Sequence, residues 1–305
     1  MNIKTFKWAV WPTAIIGLVI LISSSLPYIT SDEEYYTSIT DFNKVIAVEI
    51  PSELSFANEE VPLDRFYVKE ALEHEMTVNT YWHSSTILLV KRAHRWFPVI
   101  EPILKKNGIP EDFKYLAVAE SGLSNVVSPA GATGFWQIMK GTARDFGLEV
   151  NSGIDERYHV EKSTEVACDY LLKAYEKYGS WTLAAASYNA GMSKISKEKK
   201  RQNEDVYYDM NFGQETGRYI YRILALKQVL NKPKRFGFHL REKDLYTPYE
   251  TYEIKIDTTV SDLSALAKKY NLNYKELKIY NPWLRQAYLP DESRKVYHIK
   301  IPISK

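Results

Sequence analysis

The stretch Ile109-Pro110-Glu111-Asp112-Phe113-Lys114-Tyr115-Leu116-Ala117-Val118-Ala119-Glu120-Ser121-Gly122 decides how this chain is read. Proline at a first helical position and two acids in the first turn form a helix start signal. Proline lacks an N–H that would go unpaired there, and acids oppose the positive end of the helix dipole. Phe113, Leu116, Ala117 and Glu120 recur at i, i+3, i+4 and i+7, so Glu120 lies on the apolar face, and Gly122 closes the helix. A carboxylate on a core-facing stripe is costly unless paired or protonated. Burial raises its pKa, and a raised pKa is what a general acid needs near neutrality. A buried partner cation or a capping role also accounts for such a residue, so position alone nominates Glu120 without assigning it.

Outward from this helix, Ser121 to Gly134 reads as a Gly- and Ser-rich loop with Pro129, Gly131 and Gly134. Glycines so close to a buried acid suit backbone that runs tightly past a ligand. Periodicity predicts a helix through Trp136, Ile138, Met139, Ala143 and Phe146, ending at Gly147. Others follow through Val166, Tyr170, Leu171, Ala174 and Tyr178, from Trp181 to about Asn189, and from Glu215 to Leu230. The basic run Lys194 to Arg201 between them reads as a solvated loop. Upstream, Leu63 to about Asn107 is helical, with an amphipathic stretch through Leu72, Met76 and Tyr81 and a further helix through Val99, Ile100, Ile103 and Leu104. Beyond Gly237 the pattern changes. Tyr252 to Ile256 alternates as a strand, Val260 to Tyr270 and Tyr274 to Tyr280 read as helices, and Val296 to Ile301 alternates again.

The resulting expectation is a mainly α chain in ordered segments. Residues 1–31 are a signal peptide or membrane anchor, 32–61 an acidic linker with one short ordered piece, and 62–235 an α domain with its decisive motifs in 109–230. Residues 236–250 are a second linker and 251–305 a small β-α-α-β module. Asn231 and Pro233 are a stop signal, so few core contacts are expected to cross the boundary near Gly237. At the N-terminus Lys4 and Lys7 precede the apolar core Trp8 to Ile22, and Asp32, Glu33 and Glu34 follow it. That charge order predicts export of everything downstream, cleaved or anchored, with the bacterial membrane as a partner.

A net charge of +2 is no footprint for nucleic acid. Cys168 is the only cysteine, so no intrachain disulfide forms, and the 6 His residues show no metal motif; no cofactor or metal is expected. The 23 Tyr and 7 Trp suit sugar-holding clefts, and equally a Tyr-rich core.

Four segments together resemble the lytic transglycosylases with a lysozyme-like domain, in the membrane-bound lytic murein transglycosylase D-like branch. Glu120-Ser121-Gly122 is similar to the family's Glu-Ser motif, and Gly134-Phe135-Trp136-Gln137 to its Gly-x-x-Gln motif. Ala186-Ser187-Tyr188-Asn189-Ala190-Gly191 is similar to the Ala-Tyr-Asn-x-Gly motif, with Ser187 where Ala is usual, and Glu215-Thr216-Gly217-Arg218-Tyr219 to the closing Glu-Thr-x-x-Tyr segment. The resemblance implies a lysozyme-like α fold whose cleft takes peptidoglycan glycan strands of alternating N-acetylglucosamine and N-acetylmuramic acid. It implies Glu120 as catalytic acid and base, with Ser121 and Gln137 touching substrate. Tyr188 hydrogen-bonds near the carboxyl, Asn189 shapes the site, and Tyr219 lines the cleft from the closing helix. Most glycosidases need two carboxylates; the motifs supply one, which suffices if the muramyl C6 hydroxyl is the nucleophile and a 1,6-anhydromuramyl end the product. A hydrolytic muramidase of the same fold and a non-catalytic wall-binding protein are the alternatives. The module resembles a LysM domain, with Asp257-Thr258-Thr259 where a Gly-Asp-Thr turn is usual and a long Gln286 to Arg294 loop. Glycan binding and a purely structural role are both open for it.

Overall fold

The computed structural model describes residues 45–290 and 295–303; the N-terminal apolar segment lies outside them. A two-stranded hairpin, β1 (Ser55–Phe56) and β2 (Glu59–Glu60), leads into α1 (Phe66–Tyr81), α2 (His83–Lys106), α3 (Lys114–Ser121) and α4 (Lys140–Asp145). Then come α5 (Val160–Tyr178), α6 (Trp181–Ala190), α7 (Met192–Gln202) and α8 (Gln214–Asn231). The C-terminal module holds β3 (Thr251–Ile256), α9 (Leu263–Lys269), α10 (Tyr274–Tyr280) and β4 (Tyr297–Pro302). Its strands are antiparallel, with Ile254 opposite Ile299. Among the described residues no helix is long and apolar enough to cross a membrane.

Helix α8 is the axis of the body. Thr216, Tyr219, Ile220, Tyr221, Ile223, Leu224, Ala225, Leu226 and Val229 are buried around most of its circumference, as in a helix enclosed on all sides. It packs on α1, α3 and α6. Helix α1 offers Val68, Leu72, Glu75 and Met76, a stripe at helical spacing. Helix α3 starts at Lys114, later than Pro110 predicts: Pro110 is extended and the two acids lie in a 3-10 turn over Glu111–Phe113, while the end on Gly122, at φ 59°, is the left-handed cap glycine adopts most readily.

Four expectations are corrected. Residues 47–61 are no linker: Leu54, Phe56, Ala57 and Val61 are buried in the main core, and Phe56 meets Phe113 at 5.2 Å. Within this acidic segment Glu59 caps α6, accepting from the Thr182 amide and the Ser180 hydroxyl at 2.9 Å each. A carboxylate is stabilised at that end of a helix. The basic run is helical, because Lys, Glu, Arg and Gln all favour helix and Ile195 anchors α7 in the core. Trp136 to Met139 are not helical; Thr133 and Ile138 pair as a bridge and Gln137 sits at φ 46°. Residues 236–250 pack as well: Phe238 is buried, and Tyr249 meets Trp96 edge-on at 5.6 Å.

Nor does the chain loosen at Gly237. Body and module belong to one compact unit, Ala47–Lys305. Ile154 and Tyr158 from the body are buried with Leu263, Leu277, Trp283, Leu284 and Ile299 of the module. Nothing local in either segment announces that pairing, since each supplies half of a shared core.

Candidate active site

Glu120 is the penultimate residue of α3, part-buried, with its carboxyl beneath α8. The buried Tyr219 hydroxyl donates to its Oε1. Burial pushes the Glu120 carboxyl up to about 7; the Tyr219 bond and the Arg222 charge pull it down, and Glu215 pushes it up again. Desolvation wins over two opposing contacts, so the site holds a carboxylic acid that exchanges its proton near neutrality. Tyr219 and Tyr188 are held well above the usual phenol value, by burial first and by the nearby Glu120 charge second. Both remain protonated donors.

The Arg222 charge is itself fixed. Its Nη1 donates to Glu215 at 3.2 Å, and its Nε stands 3.9 Å from Glu75. Glu75, 2% exposed, also takes the Arg218 Nε at 2.5 Å. A buried carboxylate on α1 thus positions two arginines of α8 one turn apart, beside Tyr219.

The other motifs meet at the loop 131–138. Ser121 Oγ donates to the Phe135 carbonyl at 2.8 Å, and Tyr188 donates to the Trp136 carbonyl at 2.8 Å. Gln137 turns its amide inward, onto the Gly134 and Val126 carbonyls at 2.8 and 3.1 Å. Arg157 Nη1 donates to the carbonyls of Gly131 and Ile138 at 3.0 and 3.1 Å. Trp136, fully buried, donates its indole N–H to Thr164 Oγ1 at 2.8 Å. Gly134 has no room for a side chain: an added Cβ would stand 2.1 Å from the Arg157 carbonyl oxygen.

Glu120, Ser121, Gln137, Tyr188 and Tyr219 are therefore brought together around one loop and one helix. Asn189 stands beside them, its Oδ1 accepting from Thr216 at 3.2 Å. The direct partner of the Glu120 carboxyl is Tyr219, while Tyr188 holds the adjoining backbone. Sequence reasoning passed over Arg157, Glu75 and Arg222. A buried acid at Glu75 within the α1 stripe was the available signal. Of the other acids near Glu120 in sequence, Asp155 pairs with Arg157, Glu156 with Lys162, and Glu165 with Lys106. A concavity of about 1120 Å³ between the hairpin and the end of α8 is lined by Glu53, Asp64, Lys227 and Arg235, and Glu120 lies outside it. Volume is a guide to small-ligand pockets; the raised carboxyl of Glu120 sits elsewhere.

Replacing Tyr188 by Phe removes one hydrogen bond to the Trp136 carbonyl, a loss of about 0.5–1.5 kcal/mol. If the bond positions the loop, any activity that depends on Glu120 falls roughly tenfold while the melting temperature moves little. An unchanged rate with clear destabilisation makes Tyr188 a core residue only.

Residues 97–211 match the Transglycosylase SLT domain family, and residues 252–305 the soluble lytic transglycosylase C-terminal LysM-like domain. Tyr219 lies beyond the first match, yet the fold returns it to Glu120. Membrane-bound lytic murein transglycosylase D of Escherichia coli, from strain K12 and from strain O6:H1, is 29% identical over 183 residues, covering 58% of this chain. The chain spans 40% of the length of those curated relatives. Among solved structures, the 70 kDa soluble lytic transglycosylase of Escherichia coli aligns with a TM-score of 0.42 at 18% identity, over 60% of this chain and 32% of that one. The chain carries a transglycosylase SLT domain followed by a C-terminal LysM-like domain.

Proposed function

We propose that this chain is a lytic transglycosylase that cleaves the glycan strands of peptidoglycan, with Glu120 as its acid and base. The observation that carries the reading is a carboxyl pushed up to about 7 beneath the Tyr219 hydroxyl, at the point where the motifs of an SLT domain meet. In the first step Glu120 gives its proton to the glycosidic oxygen as the C1–O bond breaks. In the second, the Glu120 carboxylate takes the proton of the muramyl C6 hydroxyl while O6 bonds to C1. The enzyme ends as it began, water is not consumed, and the product is a 1,6-anhydromuramyl end. One carboxyl serves both steps because its pKa lies near the working pH.

Glu215 is the acid whose charge reaches Glu120, and Arg222 holds it. A hydrolytic reading needs such an acid free to hold water. Mass spectrometry of digested peptidoglycan decides: anhydro ends support the transglycosylase, and reducing ends alone overturn it. The N-terminal charge order and the membrane-bound relatives support action at the outer face of the cytoplasmic membrane.

The pH dependence follows from the same carboxyl. The acid form does the first step, so kcat/KM falls as pH rises through about 7. Tyr219 stabilises the carboxylate, and its removal favours the acid. Tyr219→Phe therefore moves this limb to higher pH while lowering the maximum, read from pH–rate profiles of the two proteins. A limb that stays in place would remove Tyr219 from the control of Glu120.

A further inference from the structure

We infer that the C-terminal module is a working part of the active site, holding the loop beside Glu120 through two positioning residues, Asp155 and Arg157. The kinetic side of this inference rests on the function proposed above; the structural side does not.

The chain of contacts begins in the module. Ile154 bridges Leu284 in antiparallel fashion, the Asp155 amide donates to the Trp283 carbonyl at 2.9 Å, and the Arg285 amide donates to the Gly153 carbonyl at 2.8 Å. Residues 153–158 are thereby a strip shared between the two parts, with Ile154 fully enclosed. On this strip the Asp155 carboxylate grips the Arg157 guanidinium as a fork, Nε to Oδ1 at 2.9 Å and Nη2 to Oδ2 at 2.7 Å. Both residues are buried. A fork of this kind fixes the plane of the guanidinium as well as its place.

The remaining nitrogen, Nη1, bonds the carbonyls of Gly131 and Ile138, the two ends of the loop. One guanidinium closes the base of the loop, while Ser121 and Tyr188 hold Phe135 and Trp136 at its top. The Arg157 carbonyl presses against Gly134 from the same side. If the module lifts, Asp155 loses its backbone partner, water competes for the fork, and the loop that carries Gln137 relaxes. Misplacement by about 1 Å can cost a hundredfold in rate.

A module that only retains the enzyme on the wall acts through effective concentration on long polymers, and leaves short soluble substrates untouched. The two roles therefore separate on short glycan fragments. In the full chain, Asp155→Asn lowers kcat on such fragments by about tenfold to a hundredfold, with KM nearly unchanged. Arg157→Lys, which keeps the charge and loses the fork, moves the same way. Lys295→Ala removes an exposed contact to Glu149 at the same boundary and leaves kcat unchanged. Hydrogen exchange supplies the readout independent of turnover. Thr133 and Ile138 donate to each other at 3.1 Å, and their amides exchange faster in Asp155→Asn than in the wild type. Wild-type kcat together with unchanged exchange at those two amides overturns the inference. Should Asp155→Asn be insoluble, denaturant-dependent exchange of the wild type decides. Loop amides that open with Ile299 of the module support the brace, and loop amides still protected after Ile299 has exchanged refute it. If the wild type cleaves nothing, the function fails while the exchange result still stands.

Discussion

Glu120→Gln leaves a folded chain that no longer cleaves glycan strands. Glutamine is nearly isosteric and its carbonyl still accepts from Tyr219, but it neither gives nor takes the catalytic proton. General acid–base groups contribute about 10²–10⁴-fold, and with one group serving both steps the loss reaches the upper end. The same substitution stabilises the protein in a defined pH window. The folded-state pKa of Glu120 is raised from the ordinary 4.5 to about 7, because burial disfavours the carboxylate. Stability from the protonated form is complete below about 4.5 and is lost as pH rises through about 7. Gln never ionises, so the variant gains on the order of 1–3 kcal/mol at pH 8 and nothing near pH 4.5. Melting curves at the two pH values, beside the product assay, check both halves. Cleavage within tenfold of wild type removes Glu120 from the mechanism.

Gly134→Ala carries the largest expected loss of stability. The residue sits at φ 81°, and its missing side chain is replaced by the Arg157 carbonyl, 2.1 Å from where a Cβ would lie. The left-handed conformation costs a non-glycine residue about 1–2 kcal/mol, and overpacking adds about 1–3 kcal/mol. Relief by backbone movement is resisted, because Arg157 is tied by the Asp155 fork on one side and the loop carbonyls on the other. Gly131 is the internal control: it has φ 87° with nothing within 4 Å of a Cβ, so Gly131→Ala meets the conformational cost alone. Urea denaturation of the two variants separates strain from contact. Equal losses show that the Arg157 carbonyl yields, and the close approach then has no energetic weight.

Much of this site was legible in sequence because its signals are local. The apolar stripe from Phe113 and the stop at Gly122 lie within about ten residues, and they put Glu120 on the covered face without help from any other segment. The same holds for the end of α8 at Asn231. What escaped was made by segments far apart in the chain. The resemblance puts Tyr219 in the cleft, but its direct bond to Glu120 forms only because α8 packs on α3. Gly134 reads as a turn glycine until Arg157 is seen behind it. The shared core of Ile154 and Leu284 is invisible because each segment alone is a short apolar patch. The hairpin strands have only two residues each, too few for a period of two to declare itself. Trp136 to Met139 imitate a helix because Trp136 and Ile138 are buried one by one, in a turn held by outside donors.

Those donors all address main-chain carbonyls. Ser121, Tyr188, Gln137 and Arg157 hold the oxygens of Phe135, Trp136, Gly134, Gly131 and Ile138, and a carbonyl is the same whatever residue bears it. The shape of this loop is thus separable from the spelling of the exposed positions beside it. Val126, Val127, Pro129, Ala130 and Met139 are exposed on or beside it, and none supplies a side chain to the bonds that hold it. A lineage under selection, or a library in the laboratory, can rewrite those five positions while the frame of the loop stays in register.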